Sequence, residues 1–118
     1  MCSVLIGAFA AHGLKQVLDS YALGLIETAA KYQMYHAIAL LLAGVMASQS
    51  QFSEKLLHWA AFFFVLGIIL FSGSLYLLAV SNVKWLVTVT PLGGCAFILG
   101  WLMLTVSIYK GVILTKLG

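Results

Sequence analysis

Apolar residues fill four long stretches of the chain, and short polar interruptions separate them. Residues 1–11 are apolar, with small side chains at Gly7, Ala8, Ala10 and Ala11. Residues 37–47 form an unbroken apolar run, entered through Lys31, Tyr32, Gln33, Met34, Tyr35 and His36. From Leu56 to Val80 the pattern is broken only by His58, Ser72, Ser74 and Tyr76, and a fourth run follows from Trp85 to Tyr109. A hydrocarbon core of ~30 Å takes about 20 helical residues. The pattern therefore predicts helices over residues 1–12, 22–48, 56–80 and 85–109. The first is too short to cross alone and reads as the second half of a longer helix. The second must reach back through Lys31 and Glu27 to span. Between them, Leu14, Val17, Leu18 and Tyr21 recur at helical spacing against Lys15, Gln16, Asp19 and Ser20, which predicts a short interfacial helix over residues 14–20.

Local signals set the boundaries. Gly13 fits a left-handed helix end after His12, Asp19 or Ser20 fits an N-cap, and Ser53 fits another before Leu56. Residues 81–84 make so short a connection that the helices on either side must be antiparallel neighbours. Pro91 falls inside the fourth predicted helix and should kink it, with Gly93 and Gly94 admitting another backbone.

Composition turns this pattern into a class. The 118 residues are 64% hydrophobic and 8% charged, with a mean hydropathy of +1.12. That lies outside the range of ordinary soluble domains. The fold class is an all-α integral membrane protein, a small four-helix transmembrane bundle with almost no mass outside the bilayer. Bacterial inner membrane and organellar membrane both fit. Six lysines against three acids give a formal charge of +3. The lysines stand singly, which reads as anchoring of helix ends near anionic headgroups and argues against a nucleic-acid partner. Cys2 and Cys95 have no metal or redox spacing.

Among polar residues, His36 stands out. A turn of about 100° per residue puts Tyr32, His36, Ala39 and Ala43 on one face, and small residues mark where another helix approaches. An inward-facing ionisable group at membrane depth is a candidate functional group, or else a hydrogen-bonded bolt between helices. Glu27 lies half a turn out of phase with His36 but in register for an ion pair with Lys31. His12 ends the first predicted helix and His36 begins the second, so both belong to one membrane side. His58 starts the third at the other. That separation rules out a three-histidine metal site, and no motif supports a smaller one. Ser72, Gly73 and Ser74 suit close helix packing better than catalysis. No nucleophile with its base is recognisable, and no cofactor is implied.

Four motifs occur in order along the chain: Gly7-Ala8-Phe9-Ala10-Ala11-His12-Gly13-Leu14, Tyr32-Gln33-Met34-Tyr35-His36-Ala37, Phe71-Ser72-Gly73-Ser74-Leu75-Tyr76 and Thr90-Pro91-Leu92-Gly93-Gly94. Together they resemble the signatures of the domain of unknown function 423 family of small membrane proteins. The resemblance implies the membrane fold and supplies no activity. Two departures are a longer first helix in the family and Ala10 where glycine is common. The expected role is structural, as an accessory subunit or homo-oligomer supporting a membrane complex or membrane integrity, partnered by lipid and other membrane subunits. The alternative is a small-solute carrier or proton pathway through His36 with Tyr32, Glu27 and His12.

Overall fold

A computed structural model describes residues 1–13 and 19–117, with the side chains of Ala10, Leu114, Thr115 and Leu117 left aside. Among these residues the ordered elements are all helical: α1 (Cys2–His12), α2 (Ser20–Ala47), α3 (Glu54–Gly67), α4 (Gly73–Ser81) and α5 (Thr90–Leu117). A π-helical turn, Ile68–Ser72, joins α3 to α4, and a 3-10 turn, Lys84–Thr88, leads into α5. The segment expected to lie in the interface falls mostly on residues 14–18, outside the described residues.

The caps follow side-chain chemistry. The Asp19 carboxylate accepts from the Ala22 N–H at 2.8 Å, and the Ser53 hydroxyl accepts from the Leu56 N–H at 3.3 Å. Each satisfies a first-turn donor that the helix itself leaves unpaired. Gly13 departs from the expected left-handed end. It stays right-handed at φ −92°, and its missing side chain makes room for the Phe9 ring, 2.7 Å from where a Cβ would sit. The left-handed position falls instead on Asn82, at φ 57°, which ends α4 with its N–H on the Leu78 carbonyl at 2.9 Å.

Proline also corrects the expectation. The fourth helix does not run through Pro91 and kink. It begins at Thr90, so Pro91 sits in the first turn, where a missing N–H breaks no helical bond. The helix then continues past residue 109 to Leu117.

Cross-helix contacts set directions. Ala39, Ala43 and Met46 of α2 share a core with Leu57, Ala60 and Phe64 of α3 and Leu104 of α5. Ala22 and Ile26 pack with Ala79 of α4. Thus α2 and the continuous α3–α4 rod are antiparallel over their whole length. The same rod runs antiparallel to α5, where Gly93 meets Phe71 and Gly100 meets Phe64. Ser3 and Gly7 of α1 lie beside Glu27, Ala30, Lys31 and Met34, while Ile6 packs near Ala22 and Ile26. Hence α1 is antiparallel to α2 and descends towards its N-terminal end. With extents of 59 × 27 × 15 Å, the helices form a thin layer, with α3–α4 in the middle.

Two rods are long and apolar enough to cross a membrane: Glu54–Ser81, with a mean hydropathy of 2.4 over its most apolar stretch, and Lys84–Ile113, with 1.8. The outward faces remain apolar. Ile38, Leu41 and Val45 on α2, Phe62 and Ile69 on the central rod, and Ile98 and Leu102 on α5 are all exposed. Such continuous apolar cover is what lipid, rather than water, accepts.

Candidate functional site

The polar residues of the apolar runs meet at mid-length, where α2, the π-turn and α5 come together. His36 is 4% exposed. Its Nδ1 lies 2.7 Å from the Tyr32 carbonyl oxygen, one turn back on α2, and its Nε2 lies 3.0 Å from Nε1 of Trp101 on α5. A carbonyl only accepts and an indole N–H only donates. The proton therefore sits on Nδ1, and Nε2 accepts from Trp101. Both nitrogens are engaged by a neutral imidazole, and a second proton on Nε2 would set two donors face to face.

Aromatic packing fixes this ring. Phe97 stacks on it with centroids 3.5 Å apart and planes 9° from parallel. Phe64 approaches from the central rod at 5.6 Å, and Trp101 meets Phe64 edge-on at 5.1 Å. Glycine makes the arrangement possible. A Cβ on Gly67 would collide with the Phe97 ring, and one on Gly100 would lie 2.7 Å from the Phe64 ring. Tyr32, 40% exposed, packs on Phe71 at 4.8 Å and joins Tyr35 at the rim of a groove of about 510 Å³ floored by His36 and Phe97.

Further bonds close the neighbouring layers. The Ser72 hydroxyl, fully buried in the π-turn, donates to the Ala29 carbonyl of α2 at 2.8 Å. The Tyr76 hydroxyl donates to Oε1 of Gln33 at 2.7 Å. The Ser74 hydroxyl donates to the Phe71 carbonyl at 2.8 Å and lies 2.6 Å from the Thr90 hydroxyl of α5, a pair in which either oxygen can donate. In lipid the alternative to each bond is an unsatisfied polar group in hydrocarbon, so these pairs specify which helix faces which.

The sequence-derived candidates separate into two groups. Tyr32 and His36 come together; Ala39 and Ala43, each 2% exposed, pack on the central rod. Ser72, Ser74 and Gly93 belong to the same junction. Gly93 is the position where a Cβ would strike the Phe71 backbone, whereas Gly7 and Gly94 face open space and Gly73 has only the Ile68 carbonyl, 4.0 Å away. Pro91 starts a helix rather than bending one.

His12 and Glu27 are elsewhere. Because α1 descends along α2, the end of α1 level with Met34 is the one carrying Ser3, and exposed His12 is carried away from His36. Glu27 is exposed on the outer side of α2, and no ion pair joins it to Lys31. Neither belongs to the His36 junction. Lys31 is not a helix-end anchor, since it sits near the middle of a 28-residue helix. His58 lies at the other end of the molecule, 3.9 Å from Glu54. Among the described residues no three His, Cys, Asp or Glu side chains converge.

Trp101, Phe97, Gly67 and Gly100 escaped the sequence reading. A signal for them exists. Gly93, Phe97, Gly100, Leu104, Ser107 and Gly111 recur at alternating spacings of four and three, a seam facing one partner helix. Trp101 lies far from the helix ends where membrane tryptophans gather, and an indole N–H among apolar surroundings needs an acceptor.

Comparison with known proteins places the chain. Residues 6–94 match the family model described as protein of unknown function (DUF423). A UPF0382 membrane protein of Staphylococcus aureus is 44% identical over 110 residues, covering 93% of this chain and 88% of that one. One from Haemophilus influenzae is 41% identical over 107 residues, covering 91% and 84%. The UPF0382 inner membrane protein YgdD of Escherichia coli is 38% identical over 104 residues, covering 88% and 78%. No solved structure matches. With the fold, the apolar exterior and this similarity in agreement, the chain is an integral membrane protein that belongs to the DUF423 family.

Proposed function

We propose that this protein is a structural component of the membrane, an accessory or self-associating subunit built from a four-helix transmembrane arrangement. In it α2, the α3–α4 rod and α5 cross the bilayer fully. α1 packs antiparallel along the N-terminal half of α2. The observation that carries this reading is the saturation of His36. Both nitrogens are bonded, the ring is stacked under Phe97, and the polar motif residues around it are joined in pairs across helices.

A carrier or proton path through His36 finds less support. A relay needs a group that can release its partners and pick up a proton, and His36 has no free nitrogen and no acid beside it. The saturated junction supports packing rather than catalysis, so enzymatic activity is not part of this reading.

Two measurements test it together. Purified in mild detergent, the protein should show a mass above that of one chain, or carry a co-purifying membrane partner. A strictly monomeric species without one contradicts the proposal. In liposomes loaded with a pH dye, proton flux should equal that of empty vesicles. Flux abolished by His36→Ala would favour the carrier instead.

A further inference from the structure

Among the described residues Lys31 is the charged residue farthest from a helix end, and Glu27 stands one turn before it on α2. At about 1.5 Å per residue, Lys31 lies ~18 Å from Asp19 at one end of α2 and ~25 Å from Ser48 at the other. Its neighbour Tyr32 packs on Phe71, near the middle of the Glu54–Ser81 rod. If α2 crosses the membrane, as proposed above, both charges stand inside the hydrocarbon, beyond easy snorkelling by Lys31. Both are exposed, and no ion pair joins them. An arrangement that is costly in lipid calls for a cover.

The surrounding surface is shaped for a helix. Gly24, Thr28, Lys31, Tyr35, Ile38 and Leu42 recur at alternating spacings of four and three on one face of α2, and all are exposed. That is the spacing of a helix pair with a left-handed crossing. Gly24 and Thr28 form a small-xxx-small step, and a Cβ on Gly24 would meet nothing. Ser3 and Gly7 of α1 form one lip of a shallow hollow of about 260 Å³ beside Glu27 and Lys31.

Charge decides the occupant. One face carries both signs one turn apart, so a partner helix of single sign would leave one charge unmatched. A copy related by a two-fold axis along the membrane normal brings Glu27 of each chain within a turn of Lys31 of the other, twice over. We infer that this face of α2 is the interface of a symmetric homodimer, sealed in the membrane by reciprocal Glu27–Lys31 pairs. It deepens the structural reading above, on which it rests, by naming the partner and the residues.

The test uses the full chain in native membranes, with Cys2→Ser and Cys95→Ser to clear the background. Under oxidant, Thr28→Cys should give a disulfide-linked dimer, while Leu102→Cys, lipid-facing on α5, should not. Glu27→Lys or Lys31→Glu alone should cut the Thr28→Cys product at least tenfold. Co-expression of the two reversals with different tags should restore it as a mixed dimer, although each helix then carries two like charges. Restoration requires pairing between chains and shows that both variants insert and fold. Equal linkage of Thr28→Cys and Leu102→Cys, or reversals that change nothing, overturns the interface. A monomeric mass for this chain within a larger assembly of other subunits also overturns self-pairing, yet leaves the accessory role standing.

Discussion

The two sides of α2 treat polar groups in opposite ways. On the side facing the central rod and α5, polar atoms at mid-depth are consumed: His36 by Tyr32 and Trp101, Gln33 by Tyr76, the Ala29 carbonyl by Ser72. On the outer side, Glu27, Thr28 and Lys31 face outward with small residues around them. Lipid imposes the same demand on both sides, since hydrocarbon offers no hydrogen bonds. The inner face meets that demand through bonds within the chain, whereas Glu27 and Lys31 on the outer face form no ion pair with each other. In the proposal made above, the closed junction serves folding and the open charged face serves association.

Substitutions can break or sharpen this contrast. The largest effect should come from Gly93→Leu. Its side chain would enter the Phe71 backbone, and overpacking against backbone should cost about 3 kcal/mol or more. Thermal unfolding in detergent should then show little folded protein, while Gly44→Leu, where a Cβ meets nothing, should unfold like the parent. Next is His36→Ala, which empties the space beside Phe97 and strips Trp101 of its acceptor. Cavity and orphaned donor together should cost ~2–4 kcal/mol, read as a lowered unfolding midpoint. Ser72→Ala removes one buried bond to the Ala29 carbonyl. Membrane helices value such a bond at only ~0.6–1 kcal/mol, so a drop of a few degrees is expected. On the open side, Glu27→Gln with Lys31→Met should shift the detergent-dispersed species from the mass of two chains to that of one, with the unfolding midpoint becoming independent of protein concentration. Smallest of all, Gly94→Ala should fall within ~0.5 kcal/mol of the parent, because the groove has room for a methyl group.

Much of the fold was legible in periodicity and length. The apolar runs mark the helices, Asp19 and Ser53 read correctly as caps, and the tight turn at Asn82 required antiparallel neighbours. The errors have a common physical source. Pro91 was read against a helix assumed to begin at residue 85, but proline is best tolerated in a first turn, and the helix starts where that preference puts it. His12 was paired with His36 by membrane side alone, whereas the antiparallel descent of α1 along α2 is a tertiary fact that no local pattern carries. The second helix, expected over residues 22–48, is found at Ser20–Ala47, so His36 does not begin it but lies near its middle. Trp101 stayed hidden because its meaning lies in one hydrogen bond to another helix. Family membership followed from motif order, and the structure shows why those motifs are built as they are: Gln33, His36, Ser72, Ser74, Tyr76 and Thr90 all make bonds that lock helices together.

The central claim, that His36 is a saturated bolt between α2 and α5, is tested most directly at its two nitrogens. Nitrogen-15 magnetic resonance of His36 in lipid should show a neutral ring with the proton on Nδ1 and Nε2 accepting from the indole of Trp101, the Nε2 signal moving when Trp101 is replaced by Phe. A proton found on Nε2, or a resonance indifferent to Trp101→Phe, would contradict the account.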